Sequence, residues 1–290
     1  MSLRWRQWFL RTRTILVAVV RKFFADNGLI LSSALAFNLL LYFIPLSLLM
    51  VSLLGYTVLD SERAMREVQS VLLASLPRSQ EAFAKNVATI VADRGLLGFA
   101  GLASFMIFST FLFGSVRTVL NQVFQARHER SFMRGVGIDA LMTLSIAVLV
   151  LLMMGATGFL ALTDAFVERY PNWIGFVQPG LDIFNKGFGM AVTACLFYIL
   201  YRFAPAITIS SRALVVASIT ATLLFQIAKW GFGWYVTIAQ QNVELYGALT
   251  GVIFLFVWLY YASVLFIIGA EIGWTFDQER TKIAAASNLL

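Results

Sequence analysis

Residues 247–270, GALTGVIFLFVWLYYASVLFIIGA, run 24 positions without a charged side chain. At about 1.5 Å per helical residue they reach about 36 Å, enough to cross a bilayer. Comparable uncharged runs occupy 29–59, 95–116 and 140–163, and two others, near 182–201 and 213–238, are interrupted by single lysines. Irregular backbone cannot face lipid, so such runs predict helices, and their unbroken hydrophobicity excludes the alternation of barrel strands. The pattern predicts an all-α polytopic membrane protein with six transmembrane helices, at about 29–59, 95–120, 136–163, 181–201, 213–238 and 247–271. The absence of a repeat or low-complexity tract makes residues 1–290 a single membrane domain.

Two segments between the runs have their own periodicity. Residues 1–28 place Trp5, Trp8, Phe9, Leu16, Val19, Val20 and Phe23 at spacings of three and four, with arginines on the other flank. This is an amphipathic helix, lying either in the headgroup layer or packed on the bundle. Residues 60–94 are broken at Leu76-Pro77, and Phe83, Val87, Ile90 and Val91 make a helical stripe after the break. The expectation is a short extracytoplasmic helical pair.

The composition, 60% hydrophobic and 13% charged, sets aside an ordinary soluble domain, which carries about 25% charged residues. Fourteen lysines and arginines flank the ends of the spans on the side of the termini, against six on the other side. By the positive-inside rule both termini are expected in the cytoplasm, and the net charge of +7 reflects topology and anionic headgroups rather than a nucleic-acid partner. The single cysteine, Cys195, permits no internal disulfide, and a single histidine, His128, leaves no set of metal ligands. No cleavable leader is expected, because the apolar stretch 15–20 is short and Arg21 and Lys22 follow it.

The segments SSALAFNLLLYFIPLSLLMVSLLGY at 32–56, SVRTVLNQVFQARHERSF at 115–132, LYRFAP at 200–205 and YGALTGVIFLFVWLYYASVLFIIGAE at 246–271, with Lys229, Phe232 and Tyr235 as a K-x-x-F-x-x-Y pattern, together resemble the YihY/BrkB family of bacterial inner-membrane proteins. The resemblance covers about 29–271. It implies a multi-pass inner-membrane protein of six helices with both ends in the cytoplasm. Some members of that family carried the label ribonuclease BN. The residues here speak against nuclease chemistry: clustered histidine and carboxylate ligands are lacking, and His128 lies in a basic loop.

Candidate functional residues are the polar groups within spans, where a charge costs on the order of 2.5–3.5 kcal/mol and usually turns toward protein or water. Lys229 lies about 24 Å into the fifth span. Either it snorkels to the headgroups, or it joins Lys186, Asp182 and Asn185 of the fourth span in a polar cavity suited to an anionic group. Asn38 and the helix-interior Pro45 mark either a bend or a mobile hinge in the first span. Arg117, Asn121, Arg202, Asp139 and Glu271, with Arg134, fall at similar depth near the other face, as a structural ion network or a substrate vestibule. Tyr260 and Tyr261 stand mid-span and need partners for their hydroxyls. Gly247 and Gly251 form a small-residue face, for packing within the chain or between chains. No nucleotide-binding loop or catalytic constellation is present, and no cofactor or metal is expected. Two functions follow: a transporter or lipid translocase for an amphipathic or anionic substrate, or a non-transporting scaffold of envelope assembly. Membrane lipids are the expected partners, no specific nucleic acid is expected, and the oligomeric state is open.

Overall fold

The structure, a computed structural model, describes residues 3–57, 94–126, 132–169, 174–239 and 249–287. These form seven helices: α1 (Leu3–Ala25), α2 (Gly28–Thr57), α3 (Arg94–Val123), α4 (Phe132–Arg169), α5 (Ile174–Phe203), α6 (Ser211–Ala239) and α7 (Leu249–Ser287). No strand occurs among the described residues, so the all-α expectation holds. Four helices carry stretches long and apolar enough to span a bilayer: Gly28–Leu46, Leu102–Val123, Ser211–Ile238 and Thr250–Lys282. Two shorter apolar stretches, Gly137–Met153 and Gly187–Phe203, lie on α4 and α5. The expected helical pair at 60–94 falls almost wholly outside the described residues, as do His128 and Gly247.

The chain divides into two compact units, Met1–Phe37 with Phe113–Leu290, and Asn38–Leu112. In the second unit α2 runs unbroken through Pro45, which is buried, and Tyr42 meets Phe105 of α3 with ring centroids 5.2 Å apart. In the first unit α4 packs on α5, α5 on α6, α6 on α7 and α1 on α7.

α1 ends in a left-handed residue, Asn27 at φ 57°, a conformation that asparagine tolerates better than most. Gly28 follows because the Phe23 ring lies where a Cβ would stand. Val19 and Phe23 are buried, while Val17, Val20 and Phe24 on the adjoining face are exposed, as is Leu16 two turns before Phe23. The two locations expected for this helix are therefore not exclusive: it packs on α7 with one side and offers an apolar surface with the other. At the end of α3, Gln125 is left-handed at φ 53°. The Gln125 amide bonds to the Gln122 carbonyl (3.0 Å) and the Ala126 amide to the Asn121 carbonyl (2.8 Å), a Schellman cap that satisfies the last carbonyls.

α6 and α7 make the most extensive contact of the unit, and its character changes along the pair. Toward Ser211 the facing residues are small: Ala213, Ala217 and Ala221 on α6, Gly269 and Gly273 on α7. A Cβ on Gly269 would stand 2.6 Å from both Ala221 Cβ and the Tyr201 hydroxyl, and one on Gly273 would stand 2.7 Å from Ala217 Cβ. Close approach of the backbones is thus written in small residues at four-residue spacing. The face expected at Gly247 and Gly251 is a different one. Gly251 is exposed with open space around it, so it is no packing contact among the described residues. α7 also continues well past the expected boundary at 271, as helix to Ser287, with Trp274 stacked on Phe124 at 6.1 Å.

Candidate functional site

Two groups of charged side chains come together, the first around one sequence candidate, Glu271, the second around two, Arg117 and Asp139. The first lies where α1, α3 and α7 meet. The Lys22 ammonium sits 2.8 Å from Glu271 Oε2 and 2.5 Å from Asp26 Oδ2, and it donates to the Val123 carbonyl at 2.8 Å. The Gln122 amide donates to the Asp26 carbonyl at 2.9 Å. Glu271 is wholly buried (0% exposed), whereas Lys22 keeps 17% of its side chain accessible. Glu271 was expected in an ion network with Arg117, Arg202, Asp139 and Arg134, without Lys22. The structure corrects this, because α1 packs across α7 and brings Lys22 there first.

The second group joins α3 and α4. Arg117 Nη1 stands 3.1 Å from Asp139 Oδ1, with Asp139 4% exposed. Gly135 leaves room for this guanidinium, since a Cβ at that position would overlap it. Nearby, Asn121 Oδ1 accepts a 2.7 Å bond from the Ala206 amide in the α5–α6 connection. Asn121 therefore pins a loop. Arg202 is half-buried and belongs to neither pair. Oε1 of Glu271 and Oδ2 of Asp139 have no hydrogen-bond partner among the described residues.

The remaining feature is a groove between α6 and α7. Beyond the small-residue contact, the facing positions turn aromatic in a ladder. Phe197 and Tyr201 of the neighbouring α5 form a first layer with Phe266 of α7, with Tyr201 and Phe266 5.0 Å apart and the Tyr201 hydroxyl donating to the Phe266 carbonyl at 2.7 Å. Phe225 and Phe232 follow, packed on Trp258 at 5.3 and 5.0 Å, and Tyr235 ends the series against Phe254 at 5.8 Å. Rings of this size hold the helices apart where alanine and glycine do not. The gap they leave is a cavity of about 520 Å³ lined by Ala228, Gly231, Phe232, Tyr235, Val257, Trp258 and Tyr261. Nothing lies within 4 Å of a Cβ built on Gly231, so the glycine keeps the gap open.

Lys229 does not line this groove. Its side chain is exposed beside it. Asp182, Asn185 and Lys186 fall on α5 with side chains outside the described part, so the polar cavity expected around Lys229 has no described wall other than an apolar one. Tyr261 reaches the groove, Tyr260 is half-buried with its ring 6.0 Å from that of Tyr261, and Asn38 and Pro45 belong to the other unit. The sequence reading missed Lys22, the Gly269 and Gly273 pair and the groove itself. The small-residue spacing was legible for the glycines. The other two depend on which helices are neighbours.

The described helices thus carry membrane-spanning stretches, buried ion pairs and an aromatic groove, and the pattern of residues behind them is shared. The model of the family described as virulence factor BrkB matches residues 19–288. The chain belongs to the BrkB family. Relatives in this family include a UPF0761 membrane protein of Pseudoalteromonas atlantica, 26% identical over 239 residues, covering 80% of this chain and 77% of that one. A UPF0761 membrane protein of Alteromonas mediterranea is 26% identical over 269 residues, covering 89% and 87%. The UPF0761 membrane protein YihY of Escherichia coli is 25% identical over 211 residues, covering 73% and 70%. No solved structure matches the chain. The protein is an integral membrane protein of the BrkB type.

Proposed function

We propose that this BrkB-family protein moves a lipid or lipid-like amphipathic molecule within the bacterial inner membrane, with both termini in the cytoplasm. The observation that carries the reading is the aromatic groove between α6 and α7. Its volume falls within the roughly 300–1,000 Å³ of small-molecule sites. Its wall is apolar with few polar groups, namely the hydroxyls of Tyr235 and Tyr261 and the Trp258 indole. A tail with a polar head suits such a wall better than a compact soluble anion. The reading involves no catalysis and no cofactor. The test is lipid scrambling in proteoliposomes: labelled phospholipid should cross between leaflets faster than in empty vesicles, and Gly231→Phe, which fills the groove, should slow it. Rates equal to those of empty vesicles would end the proposal.

A second reading, a structural protein of envelope assembly, is favoured by one observation. Lys22, Asp26, Glu271, Arg117 and Asp139 are engaged with one another rather than lining a cavity. Buried ion pairs of this kind hold a particular arrangement of helices without adding much stability over apolar residues. The scaffold predicts no scrambling and no effect of Gly231→Phe.

A further inference from the structure

We infer that the α6–α7 groove holds an acyl chain of an anionic phospholipid whose phosphate pairs with the Lys229 ammonium, an inference that rests on the lipid-handling reading and names its substrate class. Lys229 lies inside the spanning stretch Ser211–Ile238, with its side chain exposed and no carboxylate partner among the described residues. Lys22 and Arg117, by contrast, each face a carboxylate. An ammonium exposed near the end of a spanning helix reaches for the interface, where the phosphates of anionic lipids are the counterions at hand.

The surroundings say which counterion. Ala228 precedes Lys229 and Gly231 follows two positions later, both in the groove wall. Phe232, also in the wall, lies three residues on, so Lys229 stands on the flank of the groove wall. Trp230 is 80% exposed, and Trp234 is exposed a turn later. Exposed indoles of this kind favour the level of lipid headgroups. The charge selects an anion and the wall selects a tail. In a membrane the wall alone offers little, because bulk hydrocarbon is equally apolar. Retention of one lipid over its neighbours must come from the phosphate contact and from donors on Tyr235, Tyr261 and Trp258 that suit ester carbonyls.

The experiment is native mass spectrometry of the full-length protein equilibrated with equal phosphatidylglycerol and phosphatidylcholine of identical acyl chains. The wild type should retain phosphatidylglycerol about fivefold better, equivalent to about 1 kcal/mol at about 1.4 kcal/mol per tenfold. Lys229→Met should abolish the preference, Lys229→Arg should keep it, and Gly231→Phe should lower retention of both lipids. Because the Gly231 Cβ position faces open space, an unchanged unfolding midpoint will show that Gly231→Phe folds. Equal retention by the wild type, an unchanged preference in Lys229→Met, or full retention in Gly231→Phe would each overturn the site. The expected retention pattern without scrambling would remove the translocase reading and leave the site standing. Scrambling with no lipid preference would do the reverse.

Discussion

Replacing Lys22 by methionine removes the cation that Glu271 faces at 2.8 Å and leaves a carboxylate that is 0% exposed with no other partner among the described residues. Removing one member of a buried ion pair costs about 3–5 kcal/mol, because the survivor stays desolvated. The lower end applies here, since Lys22 is itself 17% accessible and water can reach the gap it vacates. In proteins of 150–250 residues a loss of 1 kcal/mol lowers Tm by about 2–4 °C, so the midpoint should fall by about 6–12 °C. The converse change, Glu271→Gln, is milder. Lys22 then keeps Asp26 at 2.5 Å and the Val123 carbonyl at 2.8 Å, and the cost should be about 1 kcal/mol. The double variant Lys22→Met with Glu271→Gln removes both charges and should be more stable than Lys22→Met alone, because no fully buried carboxylate is then left without its cation. The assay is a double-mutant cycle on the full-length protein in detergent, with unfolding followed by size-exclusion fluorescence after heating. If Lys22→Met destabilises no more than Glu271→Gln, or if the double variant equals the sum of the singles, the clasp between α1 and α7 carries no energy and the reasoning fails.

Further outcomes follow from the same packing. Gly269→Ala should cost about 1–3 kcal/mol, because its Cβ meets Ala221 and the Tyr201 hydroxyl at 2.6 Å, whereas Gly231→Ala, with open space, should leave the unfolding midpoint level or slightly raised. Tyr201→Phe should lose about 1 kcal/mol through the 2.7 Å bond to the Phe266 carbonyl, measured in the same unfolding assay. Asn121→Ala strands the half-buried Ala206 amide and should cost about 1–3 kcal/mol, with faster proteolysis of the α5–α6 connection as an independent readout. Asp139→Asn should be tolerated better than Arg117→Met, since only the latter leaves a carboxylate 4% exposed and unpaired.

The helical class and the membrane location were legible because hydrophobic run length is a local property, and lipid leaves the backbone almost no choice but helix. The uncharged run at 247–270 became α7, and the spacing of Val19 and Phe23 marked the buried side of α1. Capping at Asn27 and Gly28 is local in the same sense. The partner of a buried charge is a different matter. Glu271 and Lys22 are separated by almost the whole chain, and only the packing of α1 across α7 decides that they meet. Depth along a helix grouped Glu271 with Arg117, Arg202 and Asp139 and left out Lys22, because depth does not say which face of which helix is turned inward. The groove is likewise invisible to periodicity. It arises because alanine and glycine bring α6 and α7 together at one end while Phe232, Tyr235 and Trp258 fill the other unevenly. Sequence by itself determined where the chain is helical and what it is soluble in, since those answers depend on neighbours in the chain. Tertiary structure decided which charges are neutralised and where space remains, since those depend on neighbours in space.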